Sequence, residues 1–163
     1  NVLLGQEGIK RVLVFDVDVH QGDGTAALLA NTPGAFTCSI HCERNFPFEK
    51  QVSHLDVALP DGMGDEDYLA IVHETLQQAL ALSKPDIVLY DAGVDVYEGD
   101  PLGKLNISEQ GIRQRDRLVL GELKRRGIPA ATVIGGGYDD NRASLAKRHG
   151  VVVEEACDVF AAS

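Results

Sequence analysis

The segment from Arg11 to Thr25 constrains the fold more than any other part of the chain. Arg11-Val12-Leu13-Val14-Phe15 is a β-branched, apolar run with the composition of a buried strand. From Asp16 onward, acidic or imidazole side chains fall at every second position, with Val17 and Val19 between them. Side chains on a strand alternate faces, so Asp16, Asp18 and His20 share one side while the valines stay in the apolar packing. Gly22-Asp23-Gly24 then allows a sharp turn before a helix that begins at about Thr25. A strand-end carboxylate commonly caps the next helix or holds a loop. Two carboxylates and an imidazole on one face are better explained as half of a metal site, because burying them without a partner is costly.

The remaining segments follow one rhythm. Residues 1–10 read as the tail of a helix and a turn, and the first strand covers about 11–19. A helix over 25–31 stops at Asn31-Thr32-Pro33-Gly34, and a second strand covers 35–41. The segment 42–63 is irregular, with room for a short strand between Val52 and Leu59. Asp65 is expected to cap a helix over 66–83, in which Leu69, Val72, Leu76 and Leu80 recur at helical spacing. A third buried strand, 86–93, leads into a loop over 94–106. Ser108 opens a helix that runs to Arg126, and Ala130 to Ile134 form a fourth strand ending in Gly135-Gly136-Gly137-Tyr138. The final stretch, 139–162, is mostly helical. Strands alternating with helices predict an α/β fold with a mainly parallel sheet.

The 163 residues suffice for one core and one domain. A net charge of −10 argues against a nucleic-acid surface, which would be basic, but not against a cationic substrate. No apolar run approaches the roughly 20 residues that span a bilayer. The cysteines, Cys38, Cys42 and Cys157, show no paired zinc-knuckle spacing and fit a reducing, cytoplasmic setting.

In a parallel sheet, sites form where loops leave the carboxyl ends of strands. Three unusual loops do so here: 16–23, 91–100 and 135–138. Asp95, in the second, adds a further carboxylate to Asp18 and His20, and three protein ligands with an open position suit catalytic zinc or another divalent metal. Tyr138 follows three glycines, so its phenol can point into the site; a core tyrosine is the alternative.

These three stretches carry a resemblance. Asp-Val-Asp-Val-His-Gln-Gly-Asp-Gly-Thr (16–25), Asp-Ala-Gly-Val-Asp-Val-Tyr-Glu-Gly-Asp-Pro-Leu-Gly (91–103) and Gly-Gly-Gly-Tyr (135–138) are similar, in order and spacing, to motifs of the histone deacetylase superfamily. Gln21 and the Glu-Gly-Asp-Pro-Leu-Gly ending point to the class IV branch and its bacterial relatives. The resemblance implies a three-layer α/β/α fold of the arginase/deacetylase kind, with Asp18, His20 and Asp95 as zinc ligands; ferrous iron suits the same set. It implies that Tyr138 hydrogen-bonds the oxyanion formed when water attacks an acyl-lysine or acyl-amine carbonyl. A structural potassium ion is implied beside the zinc, held by Asp16, Asp18, His20, Ser39 and Ile40. Phe46, Gly136 and Gly137 are implied to line the channel for the acyl-lysine, with a plain surface aromatic the alternative for Phe46.

One part of the family pattern has no counterpart. The tandem His-His pair that serves such enzymes as general base would lie upstream of Asn1, and no two of the five histidines are adjacent. Asp16 and Asp23 nevertheless resemble the carboxylates that orient those histidines. The expectation is that residues 1–163 are the C-terminal portion of a single deacetylase domain, incomplete at its N-terminus and inactive alone. Two other functions compete: a non-catalytic metal-binding remnant or interaction module, and a haloacid-dehalogenase-type phosphatase using Asp16, Asp18 and the Asp139-Asp140 pair. The latter leaves Asp95 and the Gly-Gly-Gly-Tyr loop unexplained.

Overall fold

The computed structural model describes residues 2–161. Five strands, β1 (Val12–Asp16), β2 (Ala35–Cys42), β3 (Leu55–Leu59), β4 (Ile87–Asp91) and β5 (Ala130–Val133), form one sheet in the order β3-β2-β1-β4-β5. Every pairing is parallel. Four helices, α1 (Asp23–Leu29), α2 (Asp65–Ser83), α3 (Glu109–Arg126) and α4 (Arg142–Ala161), flank it. Right-handed crossovers explain their placement. The step from β1 to β2 moves one way across the sheet, whereas the steps through α2 and α3 move the other way, so α1 covers the opposite face. The result is the expected three-layer α/β/α arrangement.

The core lies between the sheet and α2 and α3. Leu13, Phe15, Cys38, Ile40, Val88 and Tyr90 from the strands meet Tyr68, Val72 and Leu76 of α2 and Ile112, Val119 and Leu123 of α3. The opposite face is thinly covered. Leu3–Gly5 form a single 3-10 turn there instead of the tail of a helix, and Leu3, Leu4, Val12, Val14 and Leu89 line an open apolar cavity of about 270 Å³.

Three element boundaries differ from expectation for local reasons. β1 ends at Asp16, because side chains take up the amides that a longer ladder would need. Asp16 Oδ1 accepts from the Asp18 amide at 3.0 Å, Asp95 Oδ1 from Val19 at 2.9 Å, and Asp18 Oδ1 from His20 at 2.9 Å. Helix α1 starts at Asp23, directly after the turn. Asp65 is the first residue of α2 and not its cap; its carboxylate accepts from the amide and hydroxyl of Ser108, at 2.8 and 2.6 Å. Ser108 in turn caps α3 by accepting from the Gly111 amide. The last residue of the helix expected over 139–162 lies outside the described residues.

The sheet order places the topological switch point between β1 and β4. From β1 the chain winds outward through β2 and β3, then returns to the other side. Crevices at such points, outside the carboxyl ends of the strands, are where α/β proteins bind ligands. The Asp16–Asp23 and Asp91–Asp100 loops leave the sheet there.

Candidate metal centre

Asp18 and His20, on the turn after β1, meet Asp95, on the loop after β4, across this crevice. One ligand atom from each lies within 4.8 Å of the others. His20 Nδ1 is 3.1 Å from both Asp18 Oδ1 and Asp95 Oδ2. Asp95 is fully buried, while Asp18 and His20 are half-buried. The hydrogen bond to Asp18, seconded by Asp95, raises His20 to about 10, so a protonated imidazole balances the two carboxylates. Burial pushes Asp95 up to about 6, opposed by its bonds from His20 and the Val19 amide.

This donor set fits a divalent cation, which would supply the positive charge that the His20 proton otherwise provides. Two glycines keep the required space clear. A methyl group on Gly136 would lie 2.2 Å from Asp95 Oδ2 and 2.5 Å from Asp18 Oδ2, and Gly136 itself has φ +50°. A Cβ on Gly93 would fall 2.6 Å from the Asp18 Cα. Both positions admit only hydrogen.

Other residues singled out in the sequence gather around this point to different degrees. Asp16 is buried beside Asp91, its register partner on β4, and burial followed by repulsion from Asp91 pushes it well above the usual carboxylate range. Ser39 is opposite Asp16 on β2, accepts from the Gly22 amide at 3.4 Å and contacts His41 Nδ1 at 3.1 Å; Ile40 follows it in the core. Asp23 is half-buried in the first turn of α1. The Tyr138 ring stands edge-on to the His20 ring, with centroids 6.1 Å apart. Its phenol is raised by burial and by the nearby Asp95, Asp18 and Asp100. Phe46, exposed, joins Phe48, Leu102 and His20 in an open cavity of about 220 Å³. Gly137, with φ +103°, sits against Leu145, Val94 and His149. His149 is half-buried, with its Nδ1 buried beneath the tyrosine loop. Asp139 is ion-paired with Arg148 and does not join the crevice carboxylates.

Two further site residues carry only weak signals in the sequence. Asp100 Oδ2 accepts from the Tyr138 amide at 2.8 Å, while its Oδ1 accepts from Leu102 and Gly103 at 2.9 and 3.0 Å. It thereby ties the Asp95 loop to the tyrosine loop. Asp91, raised to about 6 by burial and by Asp18 and Asp95, presses against Gly135. A carboxylate directly before Pro101 and one ending a strand were the available signals, and both occur widely in loops.

The fold and this geometry define a parallel α/β protein with a candidate metal-binding triad at its switch point. Comparison with known proteins narrows that class. A model of the histone deacetylase domain matches residues 1–154, and the chain belongs to the histone deacetylase family. It is 49% identical over 156 residues to an uncharacterized protein of Picosynechococcus sp., covering 95% of this chain and 52% of that protein. Histone deacetylase 2 of Arabidopsis thaliana is 32% identical over 140 residues, covering 84% of this chain and 36% of that protein. Histone deacetylase 8 of Xenopus tropicalis is 31% identical over 149 residues, covering 84% and 39%. The chain thus spans about half, or less, of the relatives it matches. No helix among the described residues is long and apolar enough to cross a membrane.

Proposed function

We propose that residues 1–163 are the C-terminal portion of a single deacetylase domain, whose parent is a zinc-dependent amidohydrolase acting on acyl-lysine or a related acyl-amine. The convergence of Asp18, His20 and Asp95 within 4.8 Å in a chain of this family carries the proposal. The thinly covered sheet face, on which Val133 is 56% exposed, supports a larger parent domain. The acidic net charge favours an acyl-amine substrate over nucleic acid, and the sparse cysteines, none of them paired, fit a cytoplasmic setting.

Asp18, His20 and Asp95 would hold the metal, with ferrous iron the alternative to zinc. When bound, such a metal would polarise the acyl carbonyl and make water nucleophilic at neutral pH. The remaining work falls to side chains. Tyr138 keeps its proton, because its phenol is raised, and can donate to the oxygen on which negative charge develops. Asp100 fixes the backbone from which that phenol extends. Phe46, with Gly136 and Gly137, would accommodate the apolar stem of the acylated amine. Asp16 and Asp23 would orient histidine bases contributed by the rest of the domain. Asp16, Asp18, His20, Ser39 and Ile40 would hold a structural potassium ion. The isolated chain, without those bases, is expected to turn over poorly.

The test is an assay of the complete parent protein on acetyl-lysine peptides, with and without a chelator, and with Tyr138→Phe. Loss of one oxyanion donor should cost about 10²–10³ in kcat with KM little changed. Full activity in the substituted protein, or activity indifferent to the chelator, would contradict the proposal.

A further inference from the structure

Helix α3 buries a guanidinium that the proposed chemistry does not use. Arg115 is fully inaccessible in mid-helix, among Ile112, Val119 and Leu123. Its Nη1 donates to the Gly93 carbonyl at 2.6 Å and its Nη2 to the Ala92 carbonyl at 3.3 Å. Nε donates to Asp116 Oδ1 at 2.9 Å, and the Tyr90 hydroxyl donates to the same oxygen at 2.6 Å. Stability alone is a poor reason for such a group, since replacing a buried ion pair with well-packed apolar residues is often neutral or stabilising.

Its location supplies a better reason. Ala92 and Gly93 follow the last residue of β4 and lead directly to Asp95. Their amide neighbours still follow the sheet: Ala92 donates to Val133 and Val94 to Gly135. Their carbonyls instead take the guanidinium fork. The Gly93 backbone also presses on Asp18, leaving no room for a Cβ. One peptide is therefore held by Arg115, touches one carboxylate of the triad and lies two residues before the other.

We propose that Arg115 is a positioning residue, its fork on the Ala92 and Gly93 carbonyls setting the separation of the Asp18 and Asp95 carboxylates and so the metal affinity of the site. This rests on Asp18, His20 and Asp95 being the metal ligands. The fork shape is essential to it. A lysine would keep the charge but could not make the paired, planar contact.

The test is zinc affinity of the complete parent protein, measured by competition with a chromogenic chelator. It is measured for Arg115→Lys, Arg115→Met and Val119→Ala, each with a thermal melt. Groups that orient metal ligands are commonly worth about 10- to 100-fold in affinity, and both Arg115 variants should lose that much. Val119→Ala, a cavity on the next turn of the same helix, should lower the melting temperature and leave zinc affinity unchanged. Affinity retained by Arg115→Lys overturns the inference, as does weakening of zinc binding by Val119→Ala in step with its lost stability. Should the Arg115 variants fail to fold, Tyr90→Phe loosens the fork through Asp116. A several-fold loss of affinity there supports the inference, and no change overturns it. An unsubstituted parent protein that binds no zinc overturns the metal centre, and this inference with it.

Discussion

Gly136→Ala is the smallest change that closes the proposed metal centre, and its cost can be worked from the structure. Gly136 has φ +50°, where an L residue is worse than glycine by about 1–2 kcal/mol. The added methyl would lie 2.2 Å from Asp95 Oδ2, 2.3 Å from Asp95 Cγ and 2.5 Å from Asp18 Oδ2. Asp95 cannot simply swing aside, because it is fully buried and its other oxygen is bonded to the Val19 amide at 2.9 Å. Overpacking of this kind costs about 1–3 kcal/mol. The variant should therefore lose about 2–5 kcal/mol of folding stability. Zinc affinity should fall at least about 100-fold, equivalent to about 2.8 kcal/mol, because a methyl group occupies the space between the two carboxylates. Gly121→Ala is the matched control. It lies in α3 with nothing within 4 Å of the added methyl, and should stabilise the helix by about 0.5–1 kcal/mol with zinc affinity unchanged. Urea denaturation and a zinc competition titration on both variants decide the matter. Wild-type zinc affinity in Gly136→Ala would refute the reasoning.

Two further perturbations test the surroundings. Asp100→Ala leaves the part-buried amides of Leu102, Gly103 and Tyr138 without their acceptor, and should lower stability by about 1–3 kcal/mol. Limited proteolysis should then cut faster at the Gly135–Tyr138 loop, and an unchanged cutting rate would count against the tether. At the far end of α3, Arg125, with Arg126 beside it, holds Glu122 down at about 2. A depressed carboxylate stabilises the fold above its unfolded pKa and loses that contribution as pH falls towards the folded one. The stability gap between the wild type and Glu122→Gln should therefore be constant near neutrality and close between about pH 4.5 and 2, as read from urea midpoints. The pair is close to the surface, so the gap should also shrink in high salt.

The order of strands and helices was legible because most strands are short apolar runs and α1, α2 and α3 run into glycine or proline. Gly127 takes the left-handed conformation that ends α3, as the Gly-Ile-Pro signal implies. The crevice was legible for a related reason: carboxylates in alternation on valine-rich segments have few other uses. Polar side chains that bond backbone were less visible. Alternation extends β1 to residue 19, whereas the carboxylates of Asp16 and Asp18 take up the amides of residues 18 and 20 and end the ladder at residue 16. Asp65 was read as a cap because it precedes a helix, yet its partner, Ser108, is remote in sequence. Arg115 and Asp116 were hardest to see, since charges within a helix usually face water. The one available hint was their place on the stripe of Ile112, Val119 and Leu123, which is the face α3 buries.

Together, Asp18, His20 and Asp95 should hold one divalent metal ion in this chain. The most direct test is zinc stoichiometry after equilibrium dialysis, measured by elemental analysis on the wild type and on Asp18→Asn, His20→Ala and Asp95→Asn. One zinc per chain is expected in the wild type, and a stoichiometric site in none of the three variants. A wild type that retains no zinc, or variants that retain it fully, would contradict that assignment.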